Sequence, residues 1–288
     1  MRLHLIPLPE QRVMVREHCR WLAGFDSRHL KSWTHLLHAD PEAALCEACV
    51  RWLMEAHNHR VEPNADLDGM ANSGAEKRPD FKCVSRLGHF YVEATCISIA
   101  KATEMTGLAH PYDRQSGPQN YGLLTEAVFD KAWDKSRQCA SADAPTLLAV
   151  ATFHKGASIH GFNRQCANEL LTGRGSIRWM INTETGMAVG DAWHGTDLDY
   201  ASFFKPADCS IRHARMSISG ILLCGFGCKM PLVSGVLHPK AQNPFNALQL
   251  PGIAFGEVRI EFDSGRLVPR WPDDAISDSD FEQQQQVF

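Results

Sequence analysis

Arg78-Pro-Asp-Phe-Lys-Cys-Val-Ser-Arg-Leu-Gly-His-Phe-Tyr-Val-Glu-Ala-Thr-Cys-Ile97 decides how this chain is read. Two alternating segments flank Ser85-Arg-Leu-Gly88, a polar turn whose Gly88 suits a left-handed backbone, so the stretch predicts a β-hairpin. Pairing Val84 with His89 sets Lys82 opposite Tyr91, Asp80 opposite Glu93 and Arg78 opposite Thr95. In that register one face carries Phe81, Cys83, Phe90, Val92, Ala94 and Cys96, all apolar. The other carries Arg78, Asp80, Lys82, Tyr91, Glu93 and Thr95. A one-residue slip would exchange the faces, so the alternation itself fixes the register.

Opposed carboxylates on neighbouring strands repel unless something compensates them. A divalent cation does so, since Mg²⁺ takes one or two carboxylates together with water and phosphate oxygens. An exposed strand face on which Arg78 and Lys82 neutralise both acids does so equally well. Charge pattern alone leaves both readings open.

Outward from the hairpin, apolar spacing predicts helices over about Glu10–Ala23 and Arg28–His38. Asp40-Pro41 is a helix start, with Asp40 as N-cap and Pro41 as first helical residue. That helix runs to about His59 and leads into an extended Arg60-Val-Glu-Pro63 and a polar loop, Asn64–Lys77. Downstream the expectations are a loop over Ala100–Gln119, a helix over about Tyr121–Cys139 and a buried strand at Thr146–Phe153. A Gly-rich stretch follows, then strands at about Met216–Gly225 and Gly256–Phe262.

Composition is that of a globular protein, with 44% hydrophobic and 22% charged residues among 288. Apolar runs such as Thr146–Phe153 and Ile218–Phe226 are too short to span a membrane, and the N-terminus lacks a signal-peptide pattern, so a cytoplasmic protein without membrane partners is expected. Most cysteines occupy positions of small hydrophobes, as free buried thiols do. Cys46-Glu-Ala-Cys49 with His57 and His59 is a weak zinc pattern, because no second cysteine pair stands at finger spacing. Asp273–Glu282 carries five acids and no Lys or Arg, and setting those five charges aside turns the net −4 into +1. Any basic groove must then be local, and Arg164, Arg174, Arg178, Arg212 and Arg215, with Trp179 and Trp193, are one candidate for it. Gly173-Arg-Gly-Ser176 lacks the Gly-Lys-Ser/Thr of a phosphate loop, and His-Glu-X-X-His is absent.

A helix bearing Glu, then Arg-Pro-Asp-Phe, then Tyr-Val-Glu-Ala-Thr resembles the PD-(D/E)XK nuclease superfamily. In particular it is similar to bacterial members whose last motif reads Glu-Ala-Thr. The resemblance covers about Asp40–Phe153 and implies an α/β restriction-endonuclease-like core, α-β-β-β-α-β on a mixed central sheet, that binds Mg²⁺ or Mn²⁺ and cuts nucleic acid, DNA foremost. Residue patterns outside it predict N-terminal helices over 1–39, an α/β extension over 156–272 packed on the core and an acidic disordered tail over 273–288, while the resemblance itself sets the core over 40–155. It makes Asp80 and Glu93 metal ligands, with Glu47 as the helix glutamate and Glu42 and Glu55 as weaker alternatives. Thr95 stands where the family has a lysine. Lys135 comes first and Lys82 second as replacements, with Arg78 opposite Thr95 and Lys131 on the same predicted helix as Lys135; Gln138 resembles a supporting helix glutamine. Without a replacement the resemblance leaves a nucleic-acid- or protein-binding module. Oligomeric state stays open, a homodimer included.

Overall fold

The computed structural model describes residues 7–64, 78–108, 122–198, 201–207, 210–260 and 267–274. Three helices open it: α1 (Pro9–Leu22), α2 (Ser27–Ala39) and α3 (Pro41–Ala56). Asp40 caps α3 as expected, its side chain accepting from the Ala43 N–H, with Pro41 in the first turn. Strand β1 (Arg60–Pro63) and the hairpin β2 (Phe81–Ser85) and β3 (Gly88–Ile97) follow. The predicted register holds from Phe81↔Val92 to Ser85↔Gly88, and Gly88 turns the chain at φ 115°, a conformation that strains any residue with a Cβ. The polar loop Asn64–Lys77 lies, apart from Asn64, outside the described residues.

Helix α4 (Ile99–Thr106) replaces the first part of the expected loop. Its ends explain it: Ser98 accepts from the Lys101 N–H, Glu42 of α3 accepts from the Ile99 N–H, and Gly107 closes the helix at φ 70°. Helix α5 (Gly122–Lys135) is shorter than expected, and residues 136–141 form turns. The buried strand β4 (Thr146–Thr152) comes next.

Beyond β4 the Gly-rich stretch holds more structure than its composition suggests. A π turn (Ala157–Gly161) precedes α6 (Arg164–Thr172), the ribbon β5 (Arg174–Ile181) with β6 (Ala188–Asp197), and the ribbon β7 (Phe204–Ala207) with β8 (Ser210–His213). Strands β9 (Gly220–Gly225), β10 (Leu232–Leu237), β11 (Phe255–Ile260) and β12 (Leu267–Arg270) complete the described chain.

Eight strands form one mixed sheet in the order β1-β2-β3-β4-β9-β10-β11-β12. β3, β4 and β9 run parallel, and the strands on either side of them pair antiparallel. Segment 156–272 therefore supplies half of the sheet to which the hairpin belongs. β4 lies at its centre with every residue buried. Leu147, Ala149 and Ala151 pack with Leu45, Cys49 and Leu53 of α3, and Leu148 and Val150 pack with Leu124 and Val128 of α5 and Leu170 of α6. Helices thus cover both faces, which requires a centre of near-continuous apolar residues. Each fully buried Leu or Val contributes roughly 1.5–3 kcal/mol. α1 and α2 lean on the outer side of α3 through Leu22, Trp33, Ala44 and Ala48. Among the described residues no helix is long and apolar enough to cross a membrane.

Candidate acidic site

The site gathers where the hairpin opens toward α3 and α5. Alternation along β3 sends Phe90 and Val92 into the α3-side core and Ile97 into the α5-side core. Glu93 and Thr95 share the side of Ile97, and α5 covers them: Glu93 is 1% exposed and Thr95 8%. The hairpin face that reads as open and polar is closed at these two positions. A buried carboxylate needs partners, and two residues at the end of α5 supply them. Lys135 Nζ donates to Glu93 Oε1 at 2.5 Å and to Gln138 Oε1 at 3.2 Å. Gln138 Nε2 donates to Glu93 Oε2 at 2.7 Å and to the Arg78 carbonyl at 3.0 Å. The turns after Lys135 bring Gln138 into this ring.

Asp80 sits just before β2, and its Oδ2 accepts from the Ala94 N–H at 2.8 Å, which holds its carboxylate across the hairpin beside Glu93. Burial and the Asp80 charge push the Glu93 carboxyl up to about 8, against the opposing pull of Lys135. Burial alone would lower the Lys135 ammonium, but the charges of Glu93 and Asp80 reverse that and raise it. Glu47 approaches from the α3 layer, and burial followed by the charges of Asp80 and Glu93 pushes its carboxyl well above the usual range. None of the described residues donates a hydrogen bond to it. The other two helix acids are occupied elsewhere, Glu42 by the Ile99 N–H and Glu55 by Arg51 at 2.6 Å.

Lys82 lies in register between Glu62 and Tyr91, and its charge acts on Asp143, which accepts from the Tyr91 hydroxyl. Arg78 enters the site by its carbonyl, while its side chain is exposed. Lys131, one turn before Lys135, acts on Cys96.

A divalent ion would find hard oxygen donors here, buried at Glu93, mutually repelling, and at Glu47 without a hydrogen-bond donor among the described residues. The donor chemistry fits Mg²⁺ or Mn²⁺. Among the described residues, however, no three His, Cys, Asp or Glu side chains are already gathered as a metal-binding group. The layout explains this: Glu47 comes from one side of the sheet, Glu93 points to the other, and both Glu93 oxygens are engaged by Lys135 and Gln138. Cys46 and Cys49 are buried and face Thr95 O and Met14 Sδ, and burial raises both thiols, so the weak zinc pattern is a pair of core thiols.

No family model matches the chain, and neither a curated protein nor a solved structure matches it.

Of the five arginines read as a groove, three are tied into the fold. Arg164 pairs with Asp273 and Asp274 and stacks on Trp271, Arg174 donates to the Gly122 carbonyl, and Arg215 donates to the Ser202 carbonyl and stacks on Phe129 and Trp133. The side chains of Arg178 and Trp193 lie outside the described residues; Arg212 and Trp179 are exposed. Of the acidic tail, Asp273 and Asp274 are thus ordered against Arg164, and the remainder is outside the described residues. Apolar spacing predicts α2 as a helix but not its place beside the acids. Its Arg28, Lys31, Ser32 and His35 line a cleft of about 570 Å³ whose far wall includes Glu47 and Asp80. A signal was present, because Ser27–Ala39 contains Arg28, His29, Lys31, His35 and His38 and no acid.

Proposed function

We propose that this chain is a divalent-metal-dependent phosphodiesterase acting on nucleic acid, DNA foremost, built on a PD-(D/E)XK-type core. Among the described residues the run is α3-β1-β2-β3-α4-α5-β4, and with β3 and β4 parallel across the helical crossover it supports that core. The observation that carries the reading is the lysine of α5. Thr95 leaves the motif without a cation on the strand, yet Lys135 delivers its ammonium to Glu93, two residues away, with Gln138 bracing both.

Glu47, Asp80 and Glu93 would hold the ion. Bound there, it would lower the pKa of a coordinated water and offset phosphate charge. Lys135, held protonated by its acidic neighbours, orients a water or phosphate oxygen and stabilises negative charge that develops on the phosphate. Thr95 offers a hydroxyl on the same face. Gln138 is a positioning residue that fixes Glu93 and the Arg78 backbone.

The test is incubation of the purified chain with Mg²⁺ or Mn²⁺ and single- and double-stranded DNA and RNA. Cleavage is expected, and Asp80→Asn and Lys135→Met should abolish it. A panel left uncut, together with no Mn²⁺-dependent rise in melting temperature that Asp80→Asn removes, overturns the proposal. One observation favours a second reading: Lys135 already compensates Glu93, and among the described residues no ready-made metal cage stands beside it. In that reading the fold persists as a nucleic-acid- or protein-binding module without hydrolysis, and binding without cleavage in either metal identifies it.

A further inference from the structure

The cleft between α2 and the acids is walled by opposite chemistries. On the α2 side, Arg28, Lys31, Ser32 and His35 recur at i, i+3, i+4 and i+7, so one helix face presents them together. Arg28 is engaged by Asp26, but Lys31, Ser32 and His35 are exposed, and Lys31 has no ion-pair partner among the described residues. Opposite stand Glu47 and Asp80. Between them, His18, Leu22, Trp33 and Phe81 line the base, with His18 packed against Trp33 at 4.7 Å and edge-on to Phe81 at 6.2 Å. His18 is 1% and Trp33 4% exposed, and the His18 Nδ1 and Trp33 Nε1 atoms have no hydrogen-bond partner among the described residues. Unpaired buried polar atoms of this kind are uncommon and call for an explanation.

A ligand suited to this cleft is anionic along one side, flat and edge-polar at its base, and tolerant of a carboxylate wall only where a cation intervenes. A nucleotide unit has these properties: phosphates for the α2 cations and a planar base for the aromatic floor. A cleft of about 570 Å³ is the size of a site for one small ligand, so it admits a nucleotide unit of a single strand but not the body of a duplex. We infer that this cleft binds a single strand of nucleic acid, with Lys31, Ser32 and His35 on its phosphates and one base against His18 and Trp33, and feeds the adjoining phosphodiester to Glu47 and Asp80. The inference rests on the proposed nuclease reading for what happens to that phosphodiester, but not for the binding itself.

Fluorescence anisotropy with a labelled twelve-residue oligothymidylate, in EDTA and in Ca²⁺, tests it on the full chain. Lys31→Ala/His35→Ala changes only exposed helix positions and should weaken binding by about tenfold at low salt, and the lost Lys31 contact should flatten the salt slope by about 0.7. Mn²⁺ alone should still raise the melting temperature of this variant. A wild-type chain that ignores the oligonucleotide, a double variant that binds it within twofold of wild type, or tighter binding of a blunt duplex overturns the inference. Binding lost in the variant with no Mn²⁺ response or cleavage in the wild type retains the strand cleft and removes the nuclease reading. Cleavage of DNA whose KM and oligonucleotide affinity ignore the double variant does the reverse.

Discussion

Replacing Lys135 with Met keeps the apolar stem and removes the charge, and the structure fixes how the loss should depend on pH. Glu93 is a carboxyl whose folded-state pKa, about 8, exceeds the ordinary value of 4.5. The folded state therefore binds that proton more tightly than the unfolded chain, and stability falls as pH climbs from about 4.5 to 8. Lys135, raised above 10.5, contributes its attraction in full below that pH. At about pH 6 Glu93 is expected to be mostly protonated, so the variant loses a hydrogen bond from the ammonium to a neutral carboxyl, worth about 1 kcal/mol with Lys135 30% exposed. At about pH 9 the wild type holds an ionised pair while the variant must bury Glu93 unpaired or keep it protonated. Breaking a buried pair from one side commonly costs about 3–5 kcal/mol, and with Lys135 30% exposed and Gln138 still in place roughly 2 kcal/mol is expected. For a chain of this size that is about 4–8 °C in Tm. Thermal or urea unfolding at the two pH values reads the difference. Equal losses at both, or the larger loss at the acid pH, refute the pairing of Lys135 with a titrating Glu93.

Asp80→Asn should raise the metal-free Tm by a few degrees at about pH 8, because it removes a charge that repels Glu93 and Glu47 while leaving an acceptor for the Ala94 N–H; a lower Tm would contradict this. Gln138→Ala breaks the link between Glu93 and the Arg78 carbonyl and should cost about 1 kcal/mol in urea unfolding. Glu42→Ala should cost a similar amount, about 1 kcal/mol, through the uncapped Ile99 N–H, while leaving the Mn²⁺ response intact, unlike Glu47→Ala. Gly235→Ala would set a methyl 2.4 Å from the Phe255 ring and should destabilise by roughly 1–3 kcal/mol, visible as a lower urea midpoint.

The hairpin was legible because two strands with one buried face leave a period-two imprint that permits a single register, and Asp40-Pro41 was legible because capping is local chemistry. Helix α4 was not, since its first N–H is satisfied by Glu42, 57 residues earlier in the chain. The join of β9 to β4 pairs residues more than seventy positions apart, such as Leu147 with Gly220, which no local pattern announces, whereas the ribbons β5–β6 and β7–β8 are local hairpins hidden in the Gly-rich stretch. At the site, alternation placed Glu93 with Asp80 but could not say that α5 closes over it, because the partner that permits its burial lies 42 residues away. The basic face of α2 was written in plain view, but it became meaningful only once α1 and α2 were seen leaning toward Glu47 and Asp80.

The imbalance at this site has only a few physical remedies. Glu47, Asp80 and Glu93 repel one another, burial raises both Glu47 and Glu93, and Lys135 reaches Glu93 alone by hydrogen bond, so full ionisation leaves charge that Lys135 cannot cancel. Protonation resolves it at low pH. A divalent cation would resolve it at higher pH by displacing those protons, so metal affinity should strengthen across the interval in which Glu93 titrates. A substrate phosphate resolves nothing by itself, since it brings more negative charge, and the cations of α2 stand at the cleft rim, not on its floor. On the proposed reading, nucleic acid would be held at the rim through Lys31 and His35 without metal, and its phosphodiester would approach Asp80 closely only with a cation between them. Binding and chemistry at this site are separable for that reason, and the loss of one does not entail the loss of the other.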